Sequence, residues 1–252
     1  MGPILKVQGL TKRFGGLTAV DRVDMEVSRG EVVGLLGDNG AGKSTLIKMI
    51  SGVYHPDEGR IFFEDKEMKP GNPMHSLELG IETLYQDLAL AENLNVYANI
   101  FLGREITKSF LGFIPVLDHD AMHSEARKVL DRLDIEIPSL RNQIKNLSGG
   151  QRQAVSISRS IYWNAKLLIM DEPTAALGVA EQKKVLDLVR TLRSQDIPII
   201  IISHQLYDIF SVCDRLVIMR RGQKVAERIT KETTPDEVVG LIIGSDLAER
   251  LK

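Results

Sequence analysis

Gly37-Asp38-Asn39-Gly40-Ala41-Gly42-Lys43-Ser44 fits the pattern G-x-x-x-x-G-K-[ST], follows the apolar run Val32 to Leu36 and precedes the helical stretch Thr45 to Ile50. A strand, a glycine-rich turn and a helix in that order constrain the fold more than any other feature, because together they read as a phosphate loop. The glycines let the backbone wrap closely round a polyphosphate, and the amides opening the helix point at it. Lys43 supplies a mobile positive charge, and Ser44 a hydroxyl for magnesium. The ligand this predicts is a nucleoside triphosphate.

Two more apolar runs, at 167–170 and 197–202, are each followed by small or polar residues. Strands covered on both faces of a parallel sheet read this way, so an α/β core is expected. Val23, Met25 and Val27 alternate with Arg22, Asp24 and Glu26, which predicts a half-buried antiparallel strand near a sheet edge. From about Asp87 to Ser158 the spacing turns helical, as in Ala126, Val129, Leu130 and Leu133, so a helical insert is expected there. Residues 215–219 and 224–227 read as a hairpin around Arg221-Gly222, and Pro235 opens a last helix. The expected organisation is one unit of 252 residues: 1–86 and 159–230 form the α/β core with its β subdomain, 87–158 the helical subdomain and 231–252 a helical end.

Composition excludes several classes. With 43% hydrophobic and 26% charged residues the chain is not disordered or low-complexity. A formal charge of −2 gives no general pull toward nucleic acid or anionic lipid. Cys213 is the one cysteine, which excludes an intrachain disulfide framework and a cysteine-rich zinc site and suits a reducing compartment. The longest purely apolar run is broken by Pro198 and too short to span a bilayer, and the amino terminus lacks a basic head before an apolar stretch. No inserted segment is expected; a membrane partner remains open.

Two motifs extend the chemistry. The run 167–170 delivers Asp171 and Glu172 at the carboxyl end of a strand, where open α/β sheets bind ligands. Asp171 is expected to anchor the magnesium. Glu172, followed by Pro173, is expected to orient or deprotonate a water attacking the γ-phosphate. Ser148 and Gln151 have the S-x-x-Q spacing of a capping box, which predicts a helix start. Gly149 and Gly150 in that first turn each cost up to roughly 1 kcal/mol against alanine, which suggests close approach to something. A bare helix end is an anion site, so a second phosphate-facing surface is expected there.

The phosphate loop, Leu147 to Gln151 and Leu167 to Glu172, in that order and spacing, resemble the nucleotide-binding cassette of ATP-binding cassette (ABC) transporters, over essentially the whole chain. The resemblance implies a P-loop NTPase core of the RecA-like kind with a mostly parallel sheet, an antiparallel β edge subdomain and an inserted helical subdomain. It implies ATP and Mg2+ as ligands and ATP hydrolysis as the activity. Two cassettes would pair head to tail, each ATP lying between the phosphate loop of one (Gly37, Asn39, Gly40, Ala41, Gly42, Lys43, Ser44 and Thr45) and the Ser148-Gly149-Gly150-Gln151 segment of the other. It further implies that Phe14 stacks on adenine, that Gln86 reaches magnesium and senses the membrane partner, and that His204 contacts the γ-phosphate. Gly178 stands where many cassettes carry an aspartate, in a loop that crosses the dimer seam.

The stretch from Tyr85 to Glu105, with its Gly103-Arg104-Glu105 exit, is similar to importers of ribose, xylose and related monosaccharides, where the aspartate opposite Gly178 is often absent too. Phe14-Gly15-Gly16-Leu17-Thr18-Ala19-Val20 looks instead like branched-chain amino-acid importers, and a cassette ATPase acting on nucleic acid or the ribosome would share the nucleotide motifs. A transporter subunit implies transmembrane permease partners, an extracytoplasmic solute-binding protein and a peripheral place on the cytoplasmic face of the membrane, with no nucleic-acid partner. Phe110-Leu111-Gly112-Phe113-Ile114-Pro115-Val116-Leu117 is unusually apolar for a connection. It is expected to tuck under the helical insert, or else to join 86–101 in receiving a helix of the membrane partner.

Overall fold

A strand covered on both faces must send alternate residues to opposite sides even when every residue is apolar, and the central strands do so in the computed structural model, which describes residues 2–69, 71–175 and 177–244. The first half contains strands β1 (Leu5–Phe14), β2 (Leu17–Val27) and β3 (Val32–Leu36), helix α1 (Lys43–Ile50), strands β4 (Glu58–Phe63) and β5 (Lys66–Glu67), helix α2 (Pro73–Leu79), strand β6 (Ile81–Leu84), helix α3 (Val96–Ile100) and strands β7 (Thr107–Phe110) and β8 (Ile114–Leu117). Helices α4 (His119–Arg132) and α5 (Gly149–Tyr162), strand β9 (Leu167–Asp171), helix α6 (Val179–Ser194), strand β10 (Ile199–Ile202), helix α7 (Leu206–Val212), strands β11 (Arg215–Arg220) and β12 (Gln223–Ile229) and helix α8 (Pro235–Ile243) complete it.

The main sheet runs β12-β11-β3-β10-β9-β6, parallel throughout except for the antiparallel pair β11–β12. Val33, Leu35, Leu167, Ile169, Ile200 and Ile202 face one side, where α1 and the antiparallel sheet β2-β1-β4-β5 close a core. Val32, Leu36, Leu168, Met170, Ile199 and Ile201 face the other, under α5, α6 and α7. Each fully buried Ile or Leu is worth about 1.5–3 kcal/mol, an upper bound because the unfolded chain already covers part of that surface. The alternating Val23, Met25 and Val27 lie on β2, at the edge of the antiparallel sheet as the pattern predicts. Arg221 and Gly222 both take positive φ, 49° and 83°, the turn that matches strand twist in a two-residue hairpin.

Two expectations need amendment, and a third reaches beyond the described residues. The segment expected to be helical also holds the β7–β8 hairpin, in which Leu111 and Gly112 adopt left-handed backbone and close the turn. Helix α5 sends Val155 into the core it shares with α3 and α4, and Ile157 and Ile161 into the core under the main sheet. A boundary at 158 therefore falls inside one rigid helix. Of the expected helical end, Pro235 does open α8 behind a Thr234 cap, while residues 245–252 lie outside the described ones.

The hairpin also overturns the expectation that its apolar stretch is tucked away. Phe110, Leu111 and Phe113 are 54%, 70% and 78% exposed, and the small core is closed by Val96, Ile100, Phe101, Met122, Ala126 and Leu130 without them. Since neither phenylalanine supports the core, replacing both with serine is expected to shift the thermal midpoint by no more than about 3 °C. A larger fall in a calorimetric scan would mean that the hairpin packs on its own subunit after all.

Candidate functional site

The parallel strands deliver the expected residues to one edge. Leu84 pairs with Met170, and Asp171 with Ile202, so Asp171 ends its strand while Gln86, Glu172 and His204 lie just past the ends of adjacent strands. β3, two places from β9, runs at its own end into the phosphate loop. Gln86 is exposed there.

The loop is fixed by backbone, and glycine is required at both ends of it. Gly37 and Gly42 have φ of 152° and 100°, and a Cβ on them would lie 2.3 Å from the Met219 carbonyl oxygen and 2.4 Å from that of Ala19. The ends of β11 and β2 thus clamp it from two sides. Lys43 is 6% exposed and its Nζ donates to the carbonyls of Gly37 (2.7 Å) and Asp38 (3.0 Å). Burial pulls its pKa down, and the charges of Glu172, Asp38 and Asp171 oppose that. The Ser44 and Asn39 side chains are exposed, with Gly40 on the same open stretch, while Ala41 is buried and Thr45 half-buried. Phe14 remains 43% exposed, its ring edge-on to Tyr54 with centroids 5.4 Å apart.

The two acids differ from free carboxylates. Asp171 and Glu172 are both pushed up, chiefly by burial; Lys43, Lys48 and His204 oppose this at Asp171, and His204 at Glu172. Glu172 has left-handed backbone (φ 54°) and its amide donates to the Ile202 carbonyl at 2.9 Å. That turns its side chain toward His204. Nε2 of His204 lies 3.2 Å from Glu172 Oε1, and the His204 amide donates to Oε2 at 3.4 Å. The 3.2 Å contact lacks hydrogen-bond alignment and leaves Oε1 a buried acceptor with no donor.

The capping box forms in full: Ser148 Oγ accepts from the Gln151 amide, and Gln151 Oε1 from the Ser148 amide. The helix end is not bare, however. A Cβ on Gly149 would come 2.6 Å from Leu177 Cδ2, and one on Gly150 3.1 Å from Glu181 Cβ. The glycines are needed for close packing within this chain. The Ser148 hydroxyl, with the Gly150 and Gly178 amides, holds the Glu181 carboxyl below the usual carboxylate range. Glu181 caps its own helix, accepting from the Gly178 amide at 3.4 Å, and its side chain packs against the start of α5. Among the described residues no hydrogen bond or ion pair joins Ser148–Gln151 to the phosphate loop. Around Gly178 there is open space for a side chain, so packing does not enforce its glycine.

Three features had no motif to announce them. Glu181 was legible only as the third helical residue after Gly178, in capping-box position. Thr174 and Asp208 form a buried pair considered below. A cleft of about 360 Å³ opens beside β6, lined among others by Tyr85, Leu102, Arg104, Arg159 and Trp163. Glu82 lies in it, pushed up by burial against the pull of Arg104 and Arg159.

An acid whose folded pKa exceeds its unfolded one binds more protons when folded, so stability is lost as pH rises through that window. Glu172→Gln is therefore expected to raise the thermal midpoint at pH 7.5, with the gain shrinking toward pH 5. A variant less stable than wild type at pH 7.5 would contradict the raised carboxyl.

Comparison with known proteins agrees with this arrangement. Residues 20–175 match the family described as ABC transporter. The chain is 46% identical over 238 residues to the xylose/arabinose import ATP-binding protein of Sulfolobus acidocaldarius, covering 94% of this chain and 93% of that one. It is 44% identical to the fructose import ATP-binding protein of Rhizobium meliloti, over 96% and 95% of the two chains. Among solved structures, an ATP-binding cassette of an ABC transporter superposes with a TM-score of 0.83 at 30% identity, covering 97% of this chain and all of that one. A nucleotide-free cassette gives 0.80 at 29%, covering 98% of each. With a phosphate loop, a strand-end acid pair and a capped Ser-Gly-Gly-Gln helix on that fold, the chain belongs to the ABC transporter family, as an ATP-binding cassette.

Proposed function

We propose that this cassette hydrolyses ATP to drive import of a monosaccharide, working as one of a head-to-tail pair beneath permease subunits on the cytoplasmic face of the membrane. An extracytoplasmic binding protein would supply the sugar. The observation that carries the substrate class is the pair of relatives above, each matched over more than nine-tenths of both chains and each named as a sugar importer's ATP-binding protein. Those names weigh against the amino-acid importer suggested by the segment Phe14 to Val20. No helix among the described residues is long and apolar enough to cross a membrane, which agrees with a peripheral subunit held by partners. We assign the cleft beside β6 and the exposed β7–β8 hairpin to contact with those partners.

In this reading adenine stacks on Phe14, and the phosphates lie on the amides from Gly37 to Thr45. Lys43 leaves the Gly37 and Asp38 carbonyls to pair with the β- and γ-phosphates, which offer charge where the carbonyls offer only dipoles. The donor set suits Mg2+: the Ser44 hydroxyl, the Asp171 carboxylate and the Gln86 amide oxygen are hard oxygen ligands, with phosphates and water left to complete the shell. Two burial-raised carboxyls beside one lysine also leave the site short of positive charge. Bound there, the ion would neutralise charge on the phosphates.

Glu172 receives the proton of the attacking water while the bond from the γ-phosphorus to the bridging oxygen breaks and ADP leaves with that electron pair. His204 holds Glu172 in place and contacts the γ-phosphate. Ser148, Gly149, Gly150 and Gln151 of the second cassette close over the same phosphate, which requires Glu181 to give up its hold on Ser148 and Gly150.

Glu172→Gln keeps the shape of the site and removes the base. Turnover is expected to fall at least about 10²-fold with ATP affinity retained, and ATP-bound dimers to accumulate on size exclusion. Turnover within a few-fold of wild type would remove Glu172 from this role.

A further inference from the structure

The ladder between β9 and β10 ends where the Glu172 amide donates to the Ile202 carbonyl, and beyond it the His204 amide donates to Glu172 Oε2 only at 3.4 Å, so the segments that follow depend on further ties. Glu172 is followed by a turn in which the Ala175 amide donates to the Glu172 carbonyl (3.1 Å) and the Leu177 amide to that of Thr174 (3.3 Å). His204 is followed by α7, seven residues long and lacking a side-chain cap at Gln205. A helix of two turns has little stability of its own and takes its place from tertiary contacts. Between these segments stand Thr174 and Asp208, 1% and 3% exposed. The Thr174 hydroxyl donates to Asp208 Oδ2 at 2.5 Å, which crosslinks the Glu172 turn to the first turn of α7.

We propose that Asp208 is a positioning residue for hydrolysis: through Thr174 it locks the Glu172 turn to the His204 helix and so fixes the distance between base and histidine. The proposal rests on the assignment of Glu172 and His204 to hydrolysis. A hydrogen bond to a buried carboxylate is short and strong, and removing its donor leaves an acceptor that pulls its helix toward other partners. Asp208 is the fourth residue after His204 and Thr174 the second after Glu172, so a shift at the crosslink is passed to both groups. Both are buried, so neither side chain is open to solvent for a nucleotide to touch.

Thr174→Val keeps the volume and loses the donor; Thr174→Ser keeps the donor. In the full-length chain the valine variant is expected to lower kcat for ATP by about tenfold or more while its ATP Kd stays within about twofold. Serine is expected to restore kcat to within about threefold of wild type. A merely structural role would reduce the folded fraction instead, and with it the number of ATP-binding sites per chain, which the binding titration counts. Asp208→Ala removes the acceptor and reads the same tie should the valine variant not fold, and is expected to lower kcat at unchanged site number. Combining Thr174→Val with Glu172→Gln should add nothing to the loss from Glu172→Gln alone. Wild-type kcat in Thr174→Val or Asp208→Ala, or a serine variant as poor as valine, overturns the proposal. If Glu172→Gln itself retains turnover, the assignment of the base fails first, and the two failures are thereby told apart.

Discussion

Strands covered on both faces can place polar groups only beyond their ends, and this constraint organises the molecule. Within β3, β9 and β10 every side chain from Val32 to Leu36, from Leu167 to Met170 and from Ile199 to Ile202 enters one core or the other. A charged group inside any of them would lose its hydration without a partner. The phosphate loop, Asp171, Glu172 and His204 therefore collect at the carboxyl edge, where the strands are in parallel register and the helices begin. Loop geometry at that edge is set by backbone from β2 and β11, so the antiparallel sheet serves the site as well as the core.

The same edge keeps its charges under tension. Lys43 is pulled down by burial while Asp171 and Glu172 are pushed up, and the lysine spends its protons on loop carbonyls rather than on either acid. In the proposed function, polyphosphate and cation together would relieve all three. At the far surface Glu181 holds the donors of the α5 terminus. Lys43 and the α5 terminus thus find partners within the chain, while Glu172 Oε1 stays without a donor.

Much of this was legible in the residues. The two-faced strands, the edge strand β2, the Arg221-Gly222 hairpin and the Ser148 capping box follow from periodicity and turn chemistry, and the structure has each of them. The family was legible from three short motifs in order. What escaped has a physical reason. The β7–β8 hairpin is turned by Leu111-Gly112, not by the Asn-Gly or Asp-Gly that signal such turns, and its strands bury nothing, so no alternation marks them. Gly149 and Gly150 looked like room for a ligand because sequence cannot say that Leu177 and Glu181 come back to fill it. Thr174 and Asp208 meet only through the fold, 34 residues apart. Assignment of the sugar rests on relatives, since no residue of the cassette touches the solute in this account.

In the proposed function two copies share each nucleotide, one through Lys43 and the other through Ser148. Lys43→Ala removes the first face and Ser148→Arg blocks the second, so neither variant alone should hydrolyse ATP. Mixed in equal amounts, they form heterodimers holding one site with neither substitution, and ATPase activity should reappear in proportion to the heterodimer fraction. Heterodimers demonstrated by mass, yet as inactive as the separate variants, would contradict a site built from both copies.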